Sequence, residues 1–276
     1  MIRPFLVCLF LLSGGAPTEV RADCGPQIQG ADVFMHPGAL VLFGEVHGTR
    51  EIPRVFGDLA CKAAEIGIPV RVGLEIPVAE KDPMSDWFNG TGAEEELWES
   101  PFFTKPYQDG RSSRAMGQLL LRLRSLRRQG KDLEPFFFDP SVRTNRDRGM
   151  AEQITNVVRK KPEAIFLILT GNLHALKTKG SPFSKTFVPM GYFLMEKGLS
   201  PLTIKFQTAK GSTWICNGGT PDSCGIRDIG GRDLGDPPIL NLGEGEIPKG
   251  YDGILFVGPA TASLPFYPAK GESASG

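Results

Sequence analysis

Short apolar runs alternate with longer amphipathic segments through this chain, and that alternation constrains the fold more than any other feature. Six runs have the length and composition of buried strands, at residues 39–46, 70–76, 134–139, 164–170, 201–208 and 253–257. Segments with helical spacing of apolar residues lie between them, at residues 52–66, 113–129, 145–160 and about 184–197. Alternating strands and helices predict an α/β fold with a largely parallel sheet flanked by helices, and a cleft at the carboxyl ends of the strands.

The length of the chain allows a sizeable core, and its charge balance argues against a nucleic-acid binder. The chain has 276 residues, enough to bury a sizeable core, and its 31 Lys+Arg balance its 31 Asp+Glu. A nucleic-acid binder normally carries a basic excess, so we expect no nucleic-acid partner. An arginine-rich stretch at 113–131 carries an apolar stripe at helical spacing, and we interpret it as a helix with a solvated basic face.

The first 22 residues have the form of a secretory signal. Arg3 precedes an apolar stretch, residues 4–12, that is too short to span a bilayer, and Ala22 ends a plausible cleavage site. We therefore expect an exported protein, periplasmic or extracellular, with one α/β domain over residues 23–276 and no transmembrane segment in the mature chain. A buried N-terminal strand or helix is the alternative.

Four cysteines follow the predicted signal, and an even number in an exported chain favours two disulfides. Three pairings are possible. Cys216 with Cys224 is the local choice, closing a loop rich in Gly and Pro, which leaves Cys24 to pair with Cys61 on the first predicted helix. Buried free thiols are the alternative. Because no Cys-x-x-Cys occurs, a thiol redox motif or a cysteine zinc site is disfavoured.

Two segments have no clean periodicity. Residues 82–110 are rich in aromatic residues and Pro and directly follow the second strand, where open α/β sheets often carry substrate-facing insertions. An ordinary helical excursion that packs its aromatic side chains inward explains this segment equally well. Residues 226–250 are rich in Gly, Pro and Asp, and we expect an irregular loop there.

Polar side chains follow four predicted strands at the same edge of the sheet. Two of the three histidines end a Gly-x-x-His tetrapeptide, at 44–47 and 171–174, directly after the first and fourth strands. A carboxylate in an apolar strand is costly to bury unless it is paired or metal-bound. We predict one catalytic site, made by His47, Glu45, Glu75, His174, Asp139 and Arg146. Core histidines, helix-capping carboxylates and a surface ion pair are the alternatives.

The absence of several common catalytic and nucleotide-binding motifs narrows the range of reactions the site can perform. The chain has no Gly-x-Ser-x-Gly elbow, P-loop or His-Glu-x-x-His motif, and no Gly-x-Gly-x-x-Gly after the first strand. Either His47 acts as a general base on water, or His47, Glu75 and His174 bind a divalent metal such as Zn²⁺ or Mn²⁺. Both hypotheses predict hydrolysis of an ester or amide in a small molecule or peptide. Haem or iron binding is the alternative function, because imidazole is a common iron ligand.

The segment Gly44-Glu45-Val46-His47-Gly48-Thr49-Arg50-Glu51 resembles the opening motif of the erythromycin esterase-like and ChaN-like haem-uptake proteins, which are related to the TraB/Tiki group. The resemblance continues through the Glu75 strand, residues 146–151, the second tetrapeptide and residues 251–253. The esterase-like branch implies that His47 is a general base, with Glu45, Glu75 and His174 arranging the site. The Tiki-like branch implies metal-dependent peptide hydrolysis, and the ChaN-like branch implies an exported haem- or iron-binding protein.

Overall fold

A computed structural model describes residues 24–142, 144–243 and 245–266. The signal sequence predicted for residues 1–22 lies outside the described residues. Within the described ranges, no helix has the length and apolar character needed to cross a membrane.

Seven strands form one sheet in the order β3-β2-β4-β1-β5-β9-β8. The neighbours from β3 to β9 are parallel, and β8 lies antiparallel to β9 at the sheet edge. The remaining two strands, β6 and β7, pair as a separate antiparallel hairpin. The strand bounds are β1 Leu40–Glu45, β2 Val70–Pro77, β3 Leu133–Asp139, β4 Ile165–Gly171, β5 Leu202–Gln207, β6 Gly211–Cys216, β7 Cys224–Ile229, β8 Ile239–Leu242 and β9 Gly253–Phe256. The predicted α/β fold with a largely parallel sheet is confirmed.

Helices cover both faces of the sheet, because the apolar side chains of each buried strand alternate between them. In β1, Val41 and Phe43 face a core shared with α1 and α5, whereas Leu40 and Leu42 face a second core shared with α6 and α7. The helix bounds are α1 Glu51–Glu65, α2 Lys81–Asn89, α3 Glu94–Trp98, α4 Pro101–Thr104, α5 Arg114–Arg128, α6 Arg146–Lys160 and α7 Met190–Glu196.

The segment at 82–110 is a helical excursion, as one of the two alternatives predicted. It forms α2, α3 and α4, which turn Trp87, Trp98, Phe102 and Phe103 into the core below α5. Its last residues return towards the sheet and carry Asp109 to the edge where the predicted site lies. The segment therefore stabilises the fold and also contributes to that edge.

One expectation about irregular structure is wrong, and one predicted helix is shorter than expected. Residues 226–250 were expected to form a loop, but they contain most of β7 and all of β8. Three of the six β7 residues are exposed and none is buried, so this strand lacks the apolar signal of a buried one. The helix expected at about 184–197 begins only at Met190, because Pro189 occupies its N-cap in an extended conformation and turns precede it.

Both predicted disulfides are present. Cys24 is bonded to Cys61 on α1, and Cys216 is bonded to Cys224 where β6 and β7 meet. The first bond holds the start of the described chain against the core. The second closes the hairpin.

Candidate active site

Four neighbouring strands deliver polar groups to one edge of the sheet. Glu45 ends β1, Asp139 ends β3 and Gly171 ends β4, while Glu75 lies near the end of β2 where the pairing register with β3 shifts. The order β3-β2-β4-β1 makes these strand ends adjacent. The structure thus brings together all six side chains predicted for the catalytic site.

His47 is paired with the carboxylate that precedes it by two residues. Its Nδ1 lies 2.9 Å from Glu45 Oε1, so Nδ1–H donates to the buried carboxylate and Nε2 carries the free lone pair. Burial alone lowers the pKa of the His47 imidazole, but the charges of Glu45 and Glu75 outweigh it and raise this pKa above 6.5. The side chain is 21% exposed, which leaves it accessible to solvent.

His174 is held in the same tautomer by a different set of partners. Its Nδ1 lies 2.7 Å from Asp147 Oδ1, and its Nε2 lies 3.1 Å from Nη1 of Arg146. Because a guanidinium can only donate, Nε2 accepts from Arg146 and Nδ1–H donates to Asp147. Asp147 also accepts from the backbone N–H of Met190 at the start of α7, which fixes the carboxylate between two elements.

Glu75 lies between the two histidines and has its oxygens fully occupied. Oε2 accepts from the Thr170 hydroxyl at 2.8 Å and from the Gly171 N–H at 2.7 Å, and Oε1 accepts from Arg146 Nη2 at 2.7 Å. Burial raises the pKa of the Glu75 carboxyl, but the two imidazoles and two guanidinium groups around it outweigh burial. They hold this pKa well below its usual range. Glu75 therefore stays ionised and orients its neighbours.

Two arginines and two aspartates complete the polar network. Arg146 donates to both oxygens of Asp139, at 2.9 and 2.8 Å. Arg111 Nη1 lies 2.8 Å from Asp139 Oδ2 and 3.5 Å from Glu75 Oε1, and its Nη2 lies 2.6 Å from Asp109 Oδ2. Such charge-assisted pairs are the strongest class of hydrogen bond and hold the planar guanidinium groups in fixed orientations.

Two glycines at strand ends leave space that neighbouring side chains of the site occupy. A Cβ on Gly171 would lie 3.1 Å from His47 Nε2 and 3.3 Å from His174 Cδ2, so the bare backbone gives both imidazoles access to one space. A Cβ on Gly44 would overlap the hydroxyl of Tyr251, which donates a hydrogen bond to the Asn172 carbonyl. A side chain at Gly44 would therefore displace Tyr251, and one at Gly171 would crowd both imidazoles.

The β6–β7 hairpin, which the sequence did not predict, supports the His47 loop. Thr213 Oγ1 donates to the His47 carbonyl at 2.6 Å, and the Trp214 N–H donates to the Gly48 carbonyl at 3.0 Å. The Trp214 indole also donates to the Gln108 carbonyl, next to Asp109. The hairpin thus joins the two loops that carry His47 and Asp109.

Arg111, Asp109 and Thr170 were missed as site residues. The alternative of a surface ion pair had Arg146 and Asp147 as its members, but Asp147 is buried against His174. Arg111 follows the aromatic segment and precedes a helix, with no strand end to mark it. For Asp147, the only signal in the sequence is its position one residue after Arg146, in the first turn of α6.

The predicted metal ligands lie close together but do not surround a common point. Both histidine Nε2 atoms lie 3.9 Å from Glu75, and the Arg146 guanidinium already contacts Glu75 and His174 Nε2. Across residues 24–142, 144–243 and 245–266, no group of three or more His, Cys, Asp or Glu side chains is arranged to hold a metal ion. As arranged, these residues do not fit a divalent cation, and metal binding stays a prediction.

Comparison with solved structures identifies the fold. A mutant erythromycin esterase EreC in its open conformation matches with a TM-score of 0.61 at 14% identity, covering 82% of this chain and 92% of that one. This chain shares the fold of that esterase. A succinoglycan biosynthesis protein matches with a TM-score of 0.54 at 11% identity, covering 83% and 90% of the two chains. A Bacillus cereus protein matches with a TM-score of 0.51 at 10% identity, covering 87% and 93%.

The resemblance to the esterase-like proteins is thus confirmed for the fold. No family model and no curated protein sequence matches the chain. A haem-binding ChaN of Campylobacter jejuni also matches, covering 64% of this chain and 84% of that one at 12% identity. Its TM-score of 0.37 is too low to assign this chain to the ChaN-like branch.

Proposed function

We propose that this protein is an exported hydrolase that cleaves an ester or amide with a water molecule activated by His47. One observation carries the proposal: the imidazole of His47 is oriented by Glu45 through Nδ1, and its Nε2 faces the space beside Gly171. An imidazole held in this way by a carboxylate is the usual arrangement of a general base.

The reaction conserves atoms and charge. His47 Nε2 removes a proton from water as the water oxygen forms a bond to the carbonyl carbon of the substrate. The carbonyl oxygen carries the resulting negative charge in the tetrahedral intermediate. When the bond to the leaving alcohol or amine breaks, the His47 imidazolium returns its proton to the leaving group, which releases the acid and the alcohol or amine.

The remaining residues orient the base, contact the substrate or supply positive charge. The Glu45 carboxylate stabilises the imidazolium that forms on His47. Glu75 and Asp139 hold Arg146, whose guanidinium hydrogen-bonds His174 Nε2. His174 presents its ring to the same space as His47, where we expect it to contact the substrate. Arg146 and Arg111 bring positive charge near the carbonyl oxygen, where it favours the developing oxyanion.

Export is part of the proposal. Two disulfides are typical of a protein that folds in an oxidising compartment. Together with the signal predicted for residues 1–22, they support a periplasmic or extracellular location.

A screen of 4-nitrophenyl esters and amides tests the proposal, with His47→Gln as the test variant. The exposed His36 lies outside the site, so His36→Gln is a matched control. We expect His47→Gln to lose about 10²–10⁴-fold in rate and His36→Gln to keep the wild-type rate. Equal hydrolysis by His47→Gln and the wild type would refute the assignment.

A haem titration separates this proposal from haem or iron binding. The His174 Nε2 already accepts from Arg146, and both Nδ1 atoms donate to carboxylates, so of the two site histidines only His47 has a nitrogen, Nε2, available to iron. We expect no Soret band that depends on both histidines. A band present in the wild type and lost in His47→Ala and His174→Ala would favour haem binding instead.

A further inference from the structure

A cavity adjoins the candidate active site at the Gly171–His174 loop. Its volume is about 590 Å³, and Asn172 and Leu173, the middle residues of the second Gly-x-x-His tetrapeptide, line it. The outer residues of that tetrapeptide, Gly171 and His174, face the proposed reaction space. The cavity and the reaction space therefore lie on either side of one short loop.

Four lysines and no carboxylate line this cavity among the described residues, and we call it the lysine pocket. The four are Lys179, Lys185, Lys205 and Lys249. In the part of the chain that the structure describes, none of them forms an ion pair with Asp or Glu. Nearby, Lys177 differs, because it is neutralised by Asp252. The lysine pocket is thus a concentration of uncompensated positive charge beside the site.

Lys205 is the residue that makes this charge unusual. It lies within β5, level with Gly44 of β1, so it belongs to the sheet rather than to a surface loop. Its side chain is half-buried and has no hydrogen-bond acceptor among the described residues. Burial lowers the pKa of the Lys205 amine accordingly. An ammonium group in this position costs free energy unless an anion approaches it.

We propose that the lysine pocket binds a phosphate group of the substrate. A cavity lined by four lysines and, among the described residues, by no carboxylate is best matched by a dianion, and Lys is a common phosphate binder. The apolar side chains of Leu173 and Leu176 line the same cavity and suit the part of the substrate that joins the phosphate to the scissile bond. This inference rests on the proposed function, since it names the substrate class as phosphorylated esters or amides.

Calorimetric titration with inorganic pyrophosphate at pH 7 and low salt tests the lysine pocket without requiring activity. The test variants are Lys205→Met and Lys249→Met, and Lys210→Met is the control, because Lys210 is an exposed lysine outside this cavity. We expect wild type and Lys210→Met to bind alike. Binding should weaken at least about tenfold in Lys205→Met and less in Lys249→Met, since only Lys205 is half-buried.

Two further titrations make the result decisive. Titration with succinate should give much weaker binding than pyrophosphate, and equal binding would overturn the assignment to phosphate. His47→Gln should bind pyrophosphate as the wild type does, so a failed hydrolase assay and a failed pyrophosphate titration are distinguishable. No pyrophosphate binding by the wild type, or binding unchanged in both test variants, would refute the proposal.

Discussion

Nδ1 of His47 lies 2.9 Å from Oε1 of Glu45, a residue only two positions earlier in the chain. The first tetrapeptide therefore supplies both the proposed base and the carboxylate that orients it. The pair is local in sequence, whereas the loop that carries His47 is held by the β6–β7 hairpin. This relationship leads to the first prediction.

Replacing Glu45 with Gln should move the pH profile of hydrolysis. The carboxylate raises the pKa of His47 above 6.5, and a general base works only when it is unprotonated, so activity should rise as pH passes through this pKa. Glu45→Gln lowers the pKa of His47, and the rising limb of kcat/KM should shift to lower pH while its plateau falls about tenfold. A limb that stays in place would show that His47 is not the group that titrates.

Adding one methyl group at Gly171 should block the site. The new Cβ would lie 3.1 Å from His47 Nε2, which is the atom proposed to meet the water. We expect Gly171→Ala to lose at least about 10²-fold in kcat/KM, with a loss of only about 1–3 kcal/mol in unfolding free energy. Gly219→Ala is the control, since a Cβ there meets no atom within 4 Å. Retained activity in folded Gly171→Ala would contradict the geometry.

Glu75 should contribute stability that disappears in acid. Its pKa is depressed in the folded state, so its contribution is present above the unfolded-state value near 4.5 and is lost as pH falls towards the folded value. Glu75→Gln should cost about 3 kcal/mol near pH 6, because Arg146 loses a buried partner. That difference from the wild type should shrink between pH 5 and 3 in urea unfolding.

The exposed Glu163 provides the control for this prediction. Glu163→Gln should follow the wild-type stability at every pH. If the difference between Glu75→Gln and the wild type stayed constant down to pH 3, Glu75 would not be the ionised group that the network requires.

The two disulfides should have different effects when removed. Cys24 and Cys61 are 37 residues apart, so the Cys24→Ser/Cys61→Ser variant should lose about 4 kcal/mol of unfolding free energy while keeping kcat. Cys216 and Cys224 are only 8 apart, and removing their bond should cost about 2.5 kcal/mol. It should also lower kcat, because the hairpin it closes supports the His47 loop through Thr213. Equal kcat in both variants would contradict that support.

Metal analysis decides between the two mechanisms considered for the site. Arg146 already occupies the position between Glu75 and His174 Nε2 that a cation would need. We therefore expect less than about a tenth of an equivalent of Zn or Mn in protein purified without chelator or affinity metal, and hydrolysis unaffected by EDTA. A stoichiometric metal that is lost in His174→Ala would establish the metal-dependent alternative.

Much of the candidate site could be predicted because its residues follow strands. Glu45, His47, Asp139 and His174 each come at or just after an apolar run, and parallel strands in neighbouring positions bring their carboxyl ends together. Arg111 could not be found in this way. It lies between two helices, and it reaches Asp139 only because the segment from α2 to α4 folds back over the sheet edge.

The sequence by itself indicated six of the seven strands of the main sheet and the helices α1, α5 and α6. It also indicated both disulfide pairings and the six residues that meet at one edge. These follow from local periodicity, from a short spacing between cysteines and from the common direction of parallel strands. Only the tertiary structure decided the tautomer of His174, the four donors around Glu75 and the support of the His47 loop by the β6–β7 hairpin. Those features depend on packing between segments far apart in the chain. Such contacts form between two distant segments, so neither segment carries a sequence pattern that reveals them.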